Sequence, residues 1–334
     1  MKKTNFIGID VSKGTLDICL VRDNIVLDQM QVTNNLQGIK QAFARLRKLG
    51  VKKLNSCCCM EHTGIYNLPL LNYLWSRSYS IWLERALQIK QSIGAVRGKS
   101  DKIDAVRIAQ YAFKNQLDAR YWEPEREQIL RLKILLADRR RLINAKKQLK
   151  APLKEGIGFI DKASLKSSEK LSKPVITALE RSIAKAEKDI NQIIQQDQRL
   201  KHLNALITSV QGIGPVTAAH MITTTNEFKD YNNPKKYSCY SGVAPFPHTS
   251  GSSIRGRHRV SHLANKTMKT LMHLSAMAAI NAKGELQDFY LRKVAEGKNK
   301  MSVINAVRNK LILRIFSVVK RNEPYRKNYQ YSLA

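Results

Sequence analysis

Residues 5–32 read as three short strands in immediate succession, and this opening restricts the folds open to the rest of the chain. The runs Phe6-Ile7-Gly8-Ile9-Asp10, Leu16 to Val21 and Ile25 to Leu27 are rich in apolar, strand-forming residues. The turn-forming Ser12-Lys13-Gly14-Thr15 and Arg22-Asp23-Asn24 separate them. Asn34-Asn35 then supplies a cap for a helix running to Leu49, with Leu36, Ile39, Phe43 and Leu46 on one face. A strand from Leu54 to Met60, a helix from Leu68 to Arg77, a strand from Tyr79 to Leu83 and a helix after Ser100 come next.

Three strands and then alternating helix and strand is the order of the ribonuclease-H-like fold; an ordinary doubly wound sheet does not begin with a double hairpin. From Glu125 to about Leu203 the pattern turns helical and highly charged. Ile176, Leu179, Ile183, Ala186, Ile190 and Ile193 form a 3-4-3-4-3 seam, with an earlier helix carrying Ile129, Leu132, Leu136 and Ile143 as its antiparallel partner. The segment Lys150 to Lys173, with Gly156 and Gly158, reads as the connector or tip. Such a seam is scaffold or oligomerisation surface. After Leu203, Ser209 to Ala219 reads as helix, glycine turn, helix, and further helices over Lys266–Asn281 and Ser302–Val319 close a mainly helical region. The expected class is α/β plus α, in three parts: residues 1–122, a coiled-coil or helical segment 123–203, and 204–334.

Charge narrows the partners. The chain has 58 Lys+Arg against 26 Asp+Glu, a formal net charge of +32. Self-repulsion of that size disfavours the compact state, so a polyanionic partner is its physical reason. From Tyr231 to Gly284 there is no Asp or Glu in 54 residues, whereas Lys235, Lys236, Arg255, Arg257, Arg259, Lys266, Lys269 and Lys283 fall there. No apolar run is long enough to span a bilayer and no apolar signal follows Met1-Lys2-Lys3, so the expected location is cytoplasmic, with no membrane partner. Cys57-Cys58-Cys59 sit in an apolar run without zinc-site spacing and read, with Cys19 and Cys239, as reduced core thiols.

Two constellations carry chemistry. Asp10 and Glu61 each end an apolar strand, where an unpaired charge is expensive. In a ribonuclease-H-like sheet the first and fourth strands are neighbours, so these carboxylates converge. Asp101 and Asp104, in KSDKIDA, face the same way in the first turn of a helix. Oxygen-only ligands suit Mg²⁺ or Mn²⁺, and paired ions of this kind stabilise the attacking and leaving oxygens of a phosphoryl transfer. Each acid taken singly also has an ordinary role as turn former, cap or solvated neighbour. The second constellation is Ser250 to Arg259, a Gly-Ser loop followed by Arg255, Arg257 and Arg259. It can supply a nucleophile whose phosphate adduct is held by guanidinium forks, or merely touch phosphate backbone. Gly212 and Gly214, at a helix N-terminus, offer backbone N–H groups to a phosphate or simply join two helices.

The blocks FIGIDVSK (6–13), MEHTGIY (60–66) and SDKIDA (100–105), with GIGPVTA (212–218), YSGVAP (240–245) and SGSSIRG (250–256), resemble the DEDD transposases of one bacterial insertion-sequence family. That family is also typified by the Piv DNA invertase, and its N-terminal domain resembles the RuvC junction resolvase. Two departures stand out. Val260-Ser261-His262-Leu263-Ala264-Asn265 replaces a pattern like I-S-K-x-G-N, and Gln211 replaces a common Pro. The resemblance implies that Asp10, Glu61, Asp101 and Asp104 are the metal-binding DEDD set. It also implies that Ser250 is the nucleophile of a covalent phosphoserine–DNA intermediate, although Ser252 and Ser253 stay open as rivals. It further implies donor and target DNA, a noncoding bridge RNA as guide, and a homo-oligomer, dimer or tetramer, with composite sites from two protomers in a nucleoid-associated bacterial protein.

Three functions therefore compete: a DNA recombinase using metal and serine, a metal-dependent junction resolvase or nuclease without a covalent intermediate, and a non-catalytic nucleic-acid-binding protein.

Overall fold

The computed structural model describes residues 3–93, 101–250, 254–260 and 263–326. It divides into two units, Met1–Pro124 and Glu125–Ala334.

In the first unit, β1 (Asn5–Val11) is the central strand of a five-stranded sheet. It pairs antiparallel with β2 (Thr15–Arg22), which pairs antiparallel with β3 (Ile25–Thr33). On its other side β1 runs parallel to β4 (Ser56–Glu61), and β4 parallel to β5 (Ser80–Glu84). The order β3-β2-β1-β4-β5 is the ribonuclease-H-like arrangement predicted from the sequence. Strand β3 continues to Thr33, beyond the predicted Leu27. On this edge strand only Asp28, Met30 and Val32 turn partly inward, so the apolar run ends while backbone pairing continues.

Alternation along β1 sends Ile7, Ile9 and Val11 to one face. There they pack with Ile39, Phe43 and Leu46 of α1 (Leu36–Lys48) and Leu70 and Leu74 of α2 (Leu68–Ser76). Asn35 caps α1, its side chain accepting from the Gly38 N–H at 2.8 Å. The opposite face carries Phe6, Cys19, Cys57, Cys59 and Trp82. It is covered by Ile89 of α3 (Ala86–Ile93) and by Ala105, Ile108, Ala109 and Ala112 of α4 (Asp101–Lys114). The cysteine run thus alternates between the two cores, and burial pushes the Cys57 thiol up to about 12. These are inert, protonated core thiols. A Cβ built on Gly8 would lie 2.2 Å from the Ala105 carbonyl oxygen and 2.3 Å from the Ala109 nitrogen. The missing side chain of Gly8 is what lets α4 lie against β1.

The second unit begins with α5 (Glu127–Glu155) and α6 (Lys162–Gln196). Arg139 pairs with Glu187 at 2.6 Å and Lys150 with Glu180 at 2.9 Å, pairings that run in opposite chain directions and make the two helices antiparallel. The connector is only 156–161, shorter than the predicted 150–173. Asp161 caps α6 through the Ser164 N–H well before Pro174, so that proline falls inside the helix. Ile129, Leu132, Leu136, Ile190 and Ile193 at the base share one core with the helices that come after α6.

These remaining helices are α7 (Gln198–Thr208), α8 (Pro215–Thr224), α9 (Pro234–Tyr240), α10 (Lys266–Asn281), α11 (Glu285–Ala295) and α12 (Lys300–Arg321). Between α9 and α10 lies a hairpin of β6 (Phe246–Ser250) and β7 (Ile254–Arg259). Buried Glu227 accepts from Arg126 at 2.6 Å and Arg199 at 2.9 Å, while Arg126 also pairs with Asp197, the cap of α7. This clamp joins the start of α5, the start of α7 and the turn after α8. No helix among the described residues is long and apolar enough to cross a membrane.

Replacing Gly8 with Ala should destabilise the chain by about 3 kcal/mol, at the upper end of overpacking costs, because helix and sheet backbone must separate. Gly14→Ala, where an added Cβ meets nothing within 4 Å, should stay within about 0.5 kcal/mol. Urea unfolding of the two variants beside the wild type measures both.

Candidate active site

Strand register collects the acids of the first unit into a row. Asp10 on β1 faces Asp17 on β2 as a direct cross-strand pair. The last β1–β4 partners are Ile9 and Met60, so Asp10 and Glu61 come next along those two strands. Glu61 is in turn the partner of Glu84 on β5. The sequence Asp17, Asp10, Glu61, Glu84 therefore crosses four adjacent strands. It lies on the face that carries Cys19, Cys57, Cys59 and Trp82, because residues two apart in a strand share a face. Helix α4 lies over this same face and brings Asp104 and, in its first turn, Asp101.

The outer members of the row have protein partners. Asp17 is 3% exposed and accepts from the Gln31 amide at both oxygens, 3.1 and 3.0 Å. Glu84 accepts from the Trp82 indole N–H and the Tyr111 hydroxyl, each at 3.2 Å, and from the Arg85 backbone N–H at 2.8 Å. Burial, followed by the Glu84 charge, raises the Tyr111 hydroxyl, so it remains a donor.

Glu61 is different. Its carboxyl is raised above the ordinary range, first by burial and then by the negative charge of Asp104, against a lowering by Lys90. Among the described residues no donor holds its side chain. Its backbone, by contrast, is fixed from two sides. The buried Asn67 amide donates to the Glu61 carbonyl at 2.9 Å while accepting from the Thr63 N–H and hydroxyl. The His62 N–H donates to the Glu84 carbonyl at 2.9 Å. Asp104 is half-buried and accepts from Arg107 at 2.9 Å.

Asp10, Glu61 and Asp104 thus belong to one face of one sheet edge, together with the backbone of Asp101, whose side chain lies outside the described residues. Among the described residues no three such groups are drawn to metal-ligand distance. Even so, the chemistry of the donor set fits a hard divalent cation: it is oxygen-only, and burial disfavours the bare Glu61 carboxylate, a cost that a bound cation offsets. Sequence reasoning missed Asp17, Glu84, Lys90 and Asn67. Asp17 lies near the start of β2 and Glu84 at the end of β5, and only register shows that they share the row.

In the second unit Ser250 is the last residue of β6, its Cα partner being Ile254. The described part of the predicted serine loop is therefore strand: Ser250 ends β6, and Ile254–Arg259 is β7. Ser252 and Ser253 lie outside the described residues, as do the side chains of Ser250, Arg255, Arg257 and Arg259. Lys266 is exposed at the start of α10, and the stem of the half-buried Lys269 lies 3.3 Å from where a Gly242 Cβ would be. Gly212 has a left-handed φ of +90°, and a Cβ there would lie 2.6 Å from the Ser275 carbonyl oxygen, so packing against α10 already requires glycine. Gly214 is exposed at the cap of α8, with nothing within 4 Å of an added Cβ.

A family model described as "Transposase IS116/IS110/IS902 family" matches residues 204–291, and a model of DEDD transposases of the IS110 type, described as "Transposase", matches residues 7–157. The pilin gene-inverting protein of Moraxella bovis is 26% identical over 98% of this chain and 99% of its own length, and that of Moraxella lacunata matches to the same extent. The insertion element IS116 uncharacterized 44.8 kDa protein of Streptomyces clavuligerus is 28% identical over 36% of this chain and 29% of its own. Among solved structures, T. thermophilus RuvC in complex with Holliday junction substrate aligns with a TM-score of 0.28 and 15% identity, covering 36% of this chain and 99% of that one. With both family models matched in order along one chain, the protein belongs to the IS110/IS116/IS902 transposases and is a DNA recombinase/transposase.

Proposed function

We propose that this transposase cleaves and exchanges DNA strands through a covalent serine–DNA intermediate, with Asp10, Glu61, Asp101 and Asp104 as the metal-binding set and Ser250 as the nucleophile. The row of strand-end carboxylates beneath α4 carries this reading. It gathers acids in a chain where they are outnumbered more than two to one, an arrangement that a cation-dependent chemistry explains. Mg²⁺ or Mn²⁺ bound there would offset negative charge developing on the phosphoryl oxygens.

The serine step conserves the phosphodiester. The Ser250 Oγ forms a bond to phosphorus as the P–O bond to one deoxyribose breaks, and the released sugar oxygen gains a proton as the serine hydroxyl loses one. A hydroxyl of the incoming strand then attacks the same phosphorus and returns the serine. No bond energy is lost to water, so strands can be exchanged without a nucleotide cofactor. The acid-free, basic stretch 231–284 supports contact with two DNA partners and with a guide, which we take to be a noncoding bridge RNA. The long α5–α6 hairpin supports assembly as a dimer or tetramer. The alternative, hydrolysis by the metal site alone, differs in leaving no covalent adduct.

Trapping the protein on cleaved DNA separates the two. The adduct should be lost in Ser250→Ala and retained in Ser252→Ala; cleavage that persists without an adduct in Ser250→Ala selects the hydrolytic reading. Asp101→Asn or Asp104→Asn should abolish cleavage by at least about 100-fold while nucleic-acid affinity survives. Equal loss of both would reject a catalytic role.

Glu61 gives a separate test in the metal-free protein. Its folded carboxyl binds its proton more tightly than the unfolded one, so stability falls as pH rises from the unfolded value through the raised folded value, and the deficit is constant above it. Glu61→Gln should therefore raise the melting temperature at pH ~7, with the gain vanishing near pH ~4, where both states are protonated. The same variant should bind Mn²⁺ more weakly than wild type by calorimetry.

A further inference from the structure

Arg308 on α12 is 7% exposed, and among the described residues no Asp or Glu lies within ion-pair distance of it. Burying a guanidinium without a counter-charge is costly. Its placement is therefore informative, and so are its partners. Nη2 lies 2.6 Å from Nδ1 of His273 on α10, Nη1 lies 3.5 Å from the Asn305 amide oxygen, and Nε has no partner. Asn305 in turn donates to the Val243 carbonyl at 2.8 Å, three residues before β6 begins.

Arginine has no acceptor, so in the His273 contact the guanidinium donates and Nδ1 accepts. That assignment fixes the ring as the neutral tautomer with its proton on Nε2. Burial and the Arg308 charge both hold His273 below its usual range, in agreement with a ring that stays neutral. His273 is itself only half-buried, and Lys269 precedes it by one helical turn on the same side of α10. Lys266 is exposed one turn earlier still. The stretch from residue 231 to 284 that contains them has no acid.

We propose that His273 Nε2–H and Lys269 Nζ form a phosphate-binding site on α10, taking one backbone phosphodiester, with Arg308 as the positioning residue that holds the histidine as a permanent hydrogen-bond donor. The proposal rests on the reading that this unit binds nucleic acid. It adds a contact that is hydrogen-bonded rather than ionic. A lysine contact releases counterions and sets the salt dependence of binding, whereas a neutral imidazole adds affinity without doing so. This difference makes the two residues separable.

The test measures binding of the full chain to a 30-base-pair duplex DNA and, in a second arm, to a single-stranded RNA of equal length, by fluorescence anisotropy across a salt series. Lys269→Ala should weaken duplex binding and reduce the slope of log K against log salt by about 0.9. His273→Ala should weaken binding about 10-fold at every salt concentration with the slope unchanged, and His273→Gln, which keeps an N–H donor at that reach, should recover most of it. Arg308→Met should reproduce the His273→Ala loss, and combining the two should add little. Should Arg308→Met unfold, Arg308→Lys together with the long-range ¹H–¹⁵N spectrum of His273 reads the tautomer directly. Loss on DNA, on RNA or on both supports the site and identifies whose phosphate it takes. Wild-type affinity of His273→Ala in both arms, or a proton on Nδ1, overturns it. A wild-type chain that binds neither nucleic acid overturns instead the reading on which it rests.

Discussion

The first unit depends on one close crossing, that of α4 over β1 at Gly8. The distances there leave no room for a single methyl group, and the helix answers with Ala105, Ala109 and Ala112 on its sheet side. Small residues on both surfaces bring the helix axis nearer to the sheet than ordinary side chains permit. The consequence is chemical, because Asp104 immediately precedes Ala105 and Asp10 follows Gly8 by two residues on the same face. The glycine that admits the helix thus brings the helix acids towards the strand acids. A bulkier contact would still fold a sheet with a covering helix, but the carboxylates would stand apart and the Coulombic influence of Asp104 on Glu61 would fade with distance.

Gathering like charges opposes folding, and the protein limits that opposition from the flanks inward. Asp17 and Glu84 end the row and are satisfied by Gln31 and by Trp82, Tyr111 and the Arg85 N–H. Their charges are thereby neutralised by local dipoles and hydrogen bonds. Glu61, between Asp10 and Glu84, has no such donors among the described residues, and burial raises its carboxyl, with Asp104 adding to the rise and Lys90 opposing it. Residues at the ends are stabilised by protein donors, whereas at Glu61 the protonated form is favoured by burial. This gradient across four strands is a stronger indication of metal chemistry than any single acid in it.

Much of this is legible in the sequence, and the remainder is hidden for physical reasons. The three opening strands, the Asn35 cap and the start of α4 are local signals, written in turn residues and periodicity. Asp10 and Glu61 are conspicuous because each closes an apolar strand. Asp17 sits at the second position after a turn residue and Glu84 precedes Arg85, so each looks like an ordinary surface acid until register is known, and register is a non-local property. The α5–α6 connector looks longer in the sequence than it is because Gly156, Gly158 and the serines after them read as breakers, whereas α5 runs to Glu155 and the cap at Asp161 starts α6. Arg308 is invisible for a related reason: a basic residue in a chain with 58 of them draws no attention until its burial is known.

The distribution of acids then accounts for the charge as a whole. Many described acids are occupied internally: Glu227 and Asp197 by Arg126, Glu180 and Glu187 by the cations of α5, Glu285 by Arg314, and Asp17 and Glu84 at the ends of the row beneath α4 by their own partners. An acid committed in this way does little to screen surface lysines and arginines elsewhere. The stretch from 231 to 284, which includes the hairpin that carries Ser250 and the whole of α10, contributes no acid of its own. Acids gather in one row of the first unit and are absent from residues 231–284 of the second. A transposase handling several nucleic-acid strands needs both fields at once.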